Sequence, residues 1–263
     1  MHKRTIIAAS IVLGLASASA SAASCKHRAD RAAELDAGGV TTVEIYALAG
    51  DLQVTGGDRA TISATGDACV SKKGMLDEID ITIRRTEDRV EILAEMPDTS
   101  EETGDRWSRQ YAVMDLEIQL PAGVAVVISD SSGELEVANL AAAEISDSSG
   151  GIEIRDIAGP VLIPRDSSGD INMERVGDVT IQVDSSGEID IREAASVTIA
   201  NDTSGDIIIR NVQGSVLIGN DSSGTISARN VGGDLIVEND TSGGIRYDRI
   251  AGHVSVPEER LER

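Results

Sequence analysis

A four-residue motif, Asp-Ser/Thr-Ser-Gly, returns seven times in this chain, starting at Asp130, Asp147, Asp166, Asp184, Asp202, Asp221 and Asp240. The intervals are 17, 19, 18, 18, 19 and 19 residues. Spacing this regular requires each copy to occupy an equivalent place in a repeating structure. The residues between the copies identify the unit. Five positions after each Asp stands a large aliphatic: Leu135, Ile152, Ile171, Ile189, Ile207, Ile226 and Ile245. Two positions further on stand Val137, Ile154, Met173, Ile191, Ile209, Ala228 and Tyr247, and a second alternating pair precedes most copies, as in Val179/Ile181 and Val216/Ile218. Alternation with period two marks a strand with one buried face.

Two short strands in about 18 residues cannot bury their own apolar face, but stacking such units ~4.8 Å apart encloses a continuous aliphatic column. The expected fold class is therefore all-β, a right-handed parallel β-helix with coils of about 18 residues, its hand taken from the general crossover rule. A helix of hexapeptides does not fit, because the apolar positions do not recur every six residues, and a calcium-loaded roll needs a Gly-Gly-x-Gly-x-Asp nonapeptide that is absent. Composition agrees with narrow aliphatic layers: Phe is absent, and one Trp with three Tyr supplies every aromatic ring.

The repeats occupy residues 125–256. Upstream, residues 40–124 read as longer strands and hairpins, with turns at Gly56-Gly57 and Glu87-Asp88, and are expected to form a less regular N-terminal β cap. Residues 98–110 read as an acidic loop that holds the only Trp, Trp107. Residues 23–39 read as a linker and 257–263 as a charged tail.

The first residues read as an address. His2, Lys3 and Arg4 precede an apolar run over 5–15, too short to cross a bilayer as a helix, and small residues then offer Ala-x-Ala cleavage after Ala18, Ala20 or Ala22. Residues 1–22 are thus expected to be a secretory signal, and the mature protein to be soluble in the periplasm or outside the cell. In such an oxidising compartment the only two cysteines, Cys25 and Cys69, are expected to pair. The alternative is a lipid on Cys25, since Ala22-Ala23-Ser24-Cys25 partly matches a lipoprotein processing box, although that box usually has Leu three residues before the Cys.

The segment Met114-Asp-Leu-Glu-Ile-Gln-Leu-Pro121-Ala-Gly, followed by a short hydrophobic strand and by Ser-Gly-acid-Ile turns such as Ser168-Gly-Asp-Ile171 and Ser204-Gly-Asp-Ile207, resembles the bacterial DUF4097 family of adhesin-like β-helix proteins. The resemblance covers roughly residues 40–256. It implies a secreted or envelope β-helix with an adhesin-like role, and it brings no catalytic residues with it.

Lys+Arg 23 against Asp+Glu 45 gives a formal net charge of −22, which excludes non-specific binding to nucleic acid or to an anionic membrane. The repeated Asp residues should line one edge of the column, where adjacent charges ~4.8 Å apart repel by about 1 kcal/mol in water. Backbone N–H groups two residues on, and Ser or Thr hydroxyls of the next coil, are expected to offset this, each charged bond contributing roughly 1.5–3 kcal/mol. The seven Asp therefore read as a structural turn ladder, and no cofactor or metal is expected. The competing reading is Ca²⁺ along the ladder, with Glu134, Asp170, Glu188 and Asp206 adding oxygens; Gly at the same place after Asp147 and Asp240, and Thr225 after Asp221, break that ligand set.

Enzymatic readings find less support. The aspartic-protease pattern has Gly two residues after Asp rather than three, Gly-x-Ser-x-Gly is absent, and His2, His27 and His253 are scattered. A carbohydrate-active β-helix would need basic groups for an acidic sugar and rings to stack on. Arg155, Arg192, Arg210 and Arg229, eight residues after their Asp, are expected to pair with Glu153, Asp190 and other acids on one sheet face. Asn201, Asn220 and Asn239 match a glycosylation acceptor only because the repeat places them there. The sequence is read as a non-catalytic scaffold that engages an unidentified protein or envelope polymer; a Ca²⁺- or polymer-binding module is the alternative.

Overall fold

The computed structural model describes residues 25–99 and 110–257. The signal segment 1–22, Trp107 and tail residues 258–263 lie outside the described residues. The strands run in chain order as β1 (His27–Asp36), β2 (Thr42–Tyr46), β3 (Leu52–Gly57), β4 (Thr61–Val70), β5 (Asp80–Thr86), β6 (Arg89–Glu95), β7 (Ala112–Pro121), β8 (Ala125–Ser129), β9 (Leu135–Ala138) and β10 (Ala142–Ser146). They continue as β11 (Ile152–Ile157), β12 (Val161–Arg165), β13 (Ile171–Asp184), β14 (Ile189–Asp202), β15 (Ile207–Val212), β16 (Val216–Asp221), β17 (Ile226–Val231), β18 (Leu235–Asp240), β19 (Ile245–Ile250) and β20 (Val254–Ser255).

These strands stack as a parallel β-helix with two faces. On the first face the neighbours are β7, β3, β9, β11, the first half of β13, the first half of β14, β15, β17 and β19. On the second they are β6, β2, β8, β10, β12, the second halves of β13 and β14, β16, β18 and β20. The aliphatic positions meet their own kind: Leu116, Leu52, Leu135, Ile152, Ile171, Ile189, Ile207, Ile226 and Ile245 are partners from rung to rung, and none is more than 5% exposed. Burying each of these side chains contributes roughly 1.5–3 kcal/mol. The second face supplies Ile163, Ile181, Ile199, Ile218 and Val237, likewise buried and in register.

Two corners join the faces in each rung. The first is the Asp-Ser/Thr-Ser-Gly turn, whose glycines take φ between +126° and +137°. A Cβ on Gly187 would fall 1.8 Å from the carbonyl oxygen of Gly169 one rung earlier, so both the conformation and the stacking distance demand glycine. The second corner places a non-glycine residue in the left-handed region, at Asn139, Asp156, Arg175, Glu193, Asn211, Asn230 and Arg249.

The N-terminal part departs from the sequence reading in three ways. Residues 23–39 do not form a linker throughout: His27–Asp36 is a ten-residue strand paired antiparallel with β4. Its alternation is of half-buried with exposed residues, and its half-buried face mixes Ala33 and Leu35, which pack against the core, with His27 and Arg31, so the apolar signal is weak. The column also begins before residue 125, because β2 and β3 stack in parallel register directly on β8 and β9. The segment between them, Ala47-Leu48-Ala49-Gly50, is an eighth copy of the first corner. Ala49 bridges to Ser132, Gly50 has φ +125°, and the Gly50 N–H donates to the Ser132 carbonyl. Gly56 and Gly57 close β3 rather than forming a turn; a Cβ on Gly56 would lie 1.8 Å from the Asn139 carbonyl oxygen.

Antiparallel strands finish this end of the column. On the first face β7 pairs β4, which pairs β1, and on the second β6 pairs β5. A 3₁₀ turn at Lys73–Glu78 buries Met75, and Arg31 of β1 holds it by donating to the carbonyls of Ile79 and Leu76 at 2.6 and 2.5 Å. Cys25 and Cys69 are disulfide-bonded, tying the segment before β1 to β4. A bonded Cys25 thiol is not available for a lipid. Among the described residues no helix is long and apolar enough to cross a membrane.

Candidate functional site

The first corner gathers the residues that the repeat singles out. Asp166, Asp184, Asp202, Asp221 and Asp240 partner one another in succession, with Asp130 and Asp147 continuing the column below them. Before Asp130 and Asp147 one outward residue follows the last inward aliphatic, so alternation itself carries the Asp inward, whereas from Asp166 onward two outward residues intervene. In β13, Gln182 and Val183 both remain outside the core while Asp184 is buried, so the carboxyl points inward. Asp166 and Asp184 have no exposed surface, and Asp130, Asp147, Asp202 and Asp221 are at most 5% exposed. Asp240, on the last of these turns, is half-buried.

The hydrogen bonding differs from expectation. The second Ser of each turn does not reach the Asp. Its hydroxyl donates to the carbonyl of the first turn residue one rung earlier: Ser132 to Leu48, Ser149 to Ser131, Ser168 to Ser148, Ser186 to Ser167, Ser204 to Ser185, Ser223 to Thr203 and Ser242 to Ser222, at 2.9–3.4 Å. These hydroxyls lie on the outer side of the corner and the carboxyls on the inner side, which is why they do not meet. The N–H groups of the residues after each Asp lean toward the carboxyl and favour its charged form, but a well-formed bond is made by Ser223 to Asp221 Oδ1, at 3.0 Å. Both carboxyl oxygens of Asp130, Asp147, Asp166, Asp184 and Asp202 are buried without a hydrogen-bond donor.

Burial therefore dominates their chemistry. It pushes the Asp166 and Asp184 carboxyls up to about 7, and those of Asp130, Asp202 and Asp221 up to about 6; Asp147 is raised as well. The neighbouring carboxylates add to the rise: Asp184 and Asp147 act on Asp166, Asp202 on Asp184, Asp221 on Asp202, and Asp240 on Asp221. Desolvation and like charge both disfavour the ionised form.

The acids offered as additional Ca²⁺ ligands stand apart from the ladder, and two of them, Asp170 and Asp206, hold backbone N–H groups of the next rung. Glu134, Asp170, Glu188 and Asp206 are exposed, whereas the ladder is buried. Asp170 Oδ1 accepts the N–H of Glu188 at 2.9 Å, and Asp206 Oδ1 that of Thr225 at 2.8 Å; Asp51 Oδ1 accepts the N–H of Glu134 at 3.0 Å. They tie the start of one rung to the next. Among the described residues no group of three or more His, Cys, Asp or Glu side chains converges to hold a metal ion.

The outer surfaces of the two faces contrast. The first carries ions: Arg155 pairs with Glu153 and, at 3.8 Å, with Glu136, while Arg192 and Arg210 converge on Asp190 at 2.5 and 3.0 Å. These pairings follow the sequence expectation, and Arg229 stands next to Arg210 in the stack. On the second, Leu162, Thr180, Thr198, Leu217 and Ile236 lie in register as an uncharged, half-buried stripe, flanked by Gln182, Ala200 and Gly219 and bounded by Glu144 below Leu162 and Glu238 beside Ile236. Sequence reasoning passed over this stripe because it tracked the inward positions. An open groove of about 760 Å³ lies where β1, β4 and β7 meet β3 and β9, with Asp30, Asp51, Asp67, Asp115 and Glu117 among its walls.

No protein-family model matches the chain, and no curated protein matches it. The DUF4097 resemblance therefore rests on the quoted motifs. Solved structures with a similar architecture include a "putative lipid binding protein" from Parabacteroides distasonis, at 16% identity and TM-score 0.43, covering 86% of this chain and 93% of that one. A "putative adhesin" from Bacteroides fragilis has 15% identity and TM-score 0.42, covering 88% and 98%. A "putative cell adhesion protein" from Clostridium sporogenes has 12% identity and TM-score 0.36, covering 87% and 98%.

Proposed function

We propose that the protein is a non-catalytic, exported scaffold that binds an extended, uncharged polymer of the cell envelope along the second face. The observation that carries this reading is the stripe Leu162, Thr180, Thr198, Leu217 and Ile236, which holds no charge over five rungs in a chain with 45 acids and 23 bases. Four rung steps make it roughly 19 Å long. A chain this acidic repels polyanions, and a neutral stripe offers no ion to a charged partner, so an uncharged one fits best. Residues 1–22 direct export on this reading, and the disulfide supports folding in an oxidising compartment.

The test is co-sedimentation of the purified protein with isolated envelope polysaccharide, alongside cell fractionation. The double variant Thr198→Glu, Leu217→Glu should lose binding with its circular dichroism unchanged, while Arg229→Ala on the opposite face should keep it. Equal binding by both variants, or a wild-type protein found in the cytoplasm, refutes the reading.

A further inference from the structure

Among the described residues, the buried carboxyls of Asp130, Asp147, Asp166, Asp184, Asp202 and Asp221 stack on one another, and the charges that act on them are acids. Asp184 is partnered by Asp166 on one side and Asp202 on the other, and Asp202 by Asp221. The other charges nearest the ladder are acids as well: Asp51 beside Asp130, Glu134 beside Asp147, and Asp206 beside Asp221. Arg165, adjacent to Asp166 in sequence, is exposed on the outer side. An isolated buried carboxylate is too costly to persist unpaired; it neutralises or finds a counter-charge. Metal ions need several converging oxygens, but this column supplies one side chain per rung, and no group of three converges among the described residues. The counter-charge that one carboxyl per rung can accommodate is a proton.

We propose that the Asp ladder is a proton-storing column, in which uptake of protons joins neighbouring rungs through carboxyl-to-carboxylate hydrogen bonds and so stabilises the β-helix in mildly acidic surroundings. Each proton turns one carboxylate into an O–H donor, and the facing Asp one rung away accepts it. The charge that repelled becomes a bond that ties, and both previously donorless groups gain a partner.

The folded-state values, about 6 for Asp202 and about 7 for Asp184, lie above the ordinary 3.8, so the folded protein holds more protons than the unfolded chain in between. The stabilisation is fully present below about pH 4 and is lost as pH rises through 6 to 7. Each additional proton held by the folded state changes the folding equilibrium about tenfold per pH unit inside that window.

Urea unfolding of the full chain from pH 5 to pH 8 tests this, comparing wild type with Asp184→Asn and with the exposed control Glu238→Gln. The amide of Asn supplies an N–H at every pH. Asp184→Asn should therefore lose at least a tenfold share of the wild-type decline and match or exceed wild type at pH 8, while Glu238→Gln should follow wild type. An Asp184→Asn slope equal to that of wild type overturns the proposal. Infrared spectra of the wild type need no variant: protonated-carboxyl absorption should persist at pH 6 and vanish by pH 9, and its absence at pH 6 overturns the proposal. A melting temperature raised by millimolar Ca²⁺ at pH 8, with the rise lost in Asp184→Asn, overturns it in favour of a cation ladder.

Discussion

Ala47 stands one rung below Asp130, in the place that the carboxyl-bearing residue fills in every later turn; its N–H donates to Ser129, and the flanking pairs Tyr46 with Ser129 and Ala49 with Ser132 fix the alignment. The column of carboxyls thus starts against a methyl group. Ala47→Asp would add another buried acid with no cation beside it. Unfolding in urea should show a loss of about 1–3 kcal/mol at pH 8, from leaving a polar group unsatisfied. The loss should shrink at pH 5, where protonation removes the charge, and an equal loss at both values would contradict a charge-based cause.

Glycine at the first corner is a steric requirement as well as a conformational one. Gly187→Ala places a methyl 1.8 Å from the Gly169 carbonyl oxygen at φ +137°, whereas Gly57→Ala meets nothing within 4 Å. The first should lower the melting temperature by on the order of 10 °C and the second by little, since each kcal/mol moves it about 2–4 °C in a chain of this size. Calorimetry on the two variants decides it.

Ile189→Asp inserts a charge between Ile171 and Ile207, both with no exposed surface, without a partner to neutralise it. A loss of about 4 kcal/mol or more is expected, enough to prevent folding at ordinary temperature. Ile208→Asp, one residue along β15 from Ile207 and on the outer surface, should be tolerated within about 1 kcal/mol. Similar melting curves for the two would contradict the inward assignment of the aliphatic ladder.

The disulfide joins two residues 44 apart in sequence, beside an edge strand with no buried face. Cys69→Ser, paired with Cys25→Ser, should destabilise the protein by up to about 4 kcal/mol on the loop-entropy account. Amide exchange should show the gain in opening concentrated in β1 and β4, with β15 to β18 nearly unchanged, because each rung contacts its neighbours only.

The regular part of this fold is written openly in the sequence. Ile171, Ile189 and Ile207 recur at constant spacing, and a period-two pattern with a fixed turn admits few architectures. What hides is whatever lacks a repeated side chain. Ala47-Leu48-Ala49-Gly50 shares only its glycine with the later turns, so its equivalence appears in φ and in the pairing of Ala49 with Ser132 rather than in residue identity. The strand His27–Asp36 alternates Arg, Asp and Glu with Ala and carries no buried stripe, since it lies at the margin of a sheet. The inward aim of the Asp residues was hidden for a different reason. Asp-Ser-Ser-Gly promises a turn that keeps its carboxylate in contact with backbone N–H groups, and although alternation from Ile128 and Ile145 aims Asp130 and Asp147 inward, the two successive outward residues Gln182 and Val183 break that pattern ahead of Asp184.

The glycine column has a consequence for how such a molecule can change length. Each first corner rests on the carbonyl of the corner one coil earlier, and the same contact recurs from Gly133 to Gly243. A duplicated coil of 18 or 19 residues would therefore meet the same surface above and below as the coil it copied. The molecule behaves as a ruler assembled from interchangeable segments, extendable by gene duplication without any new interface having to evolve.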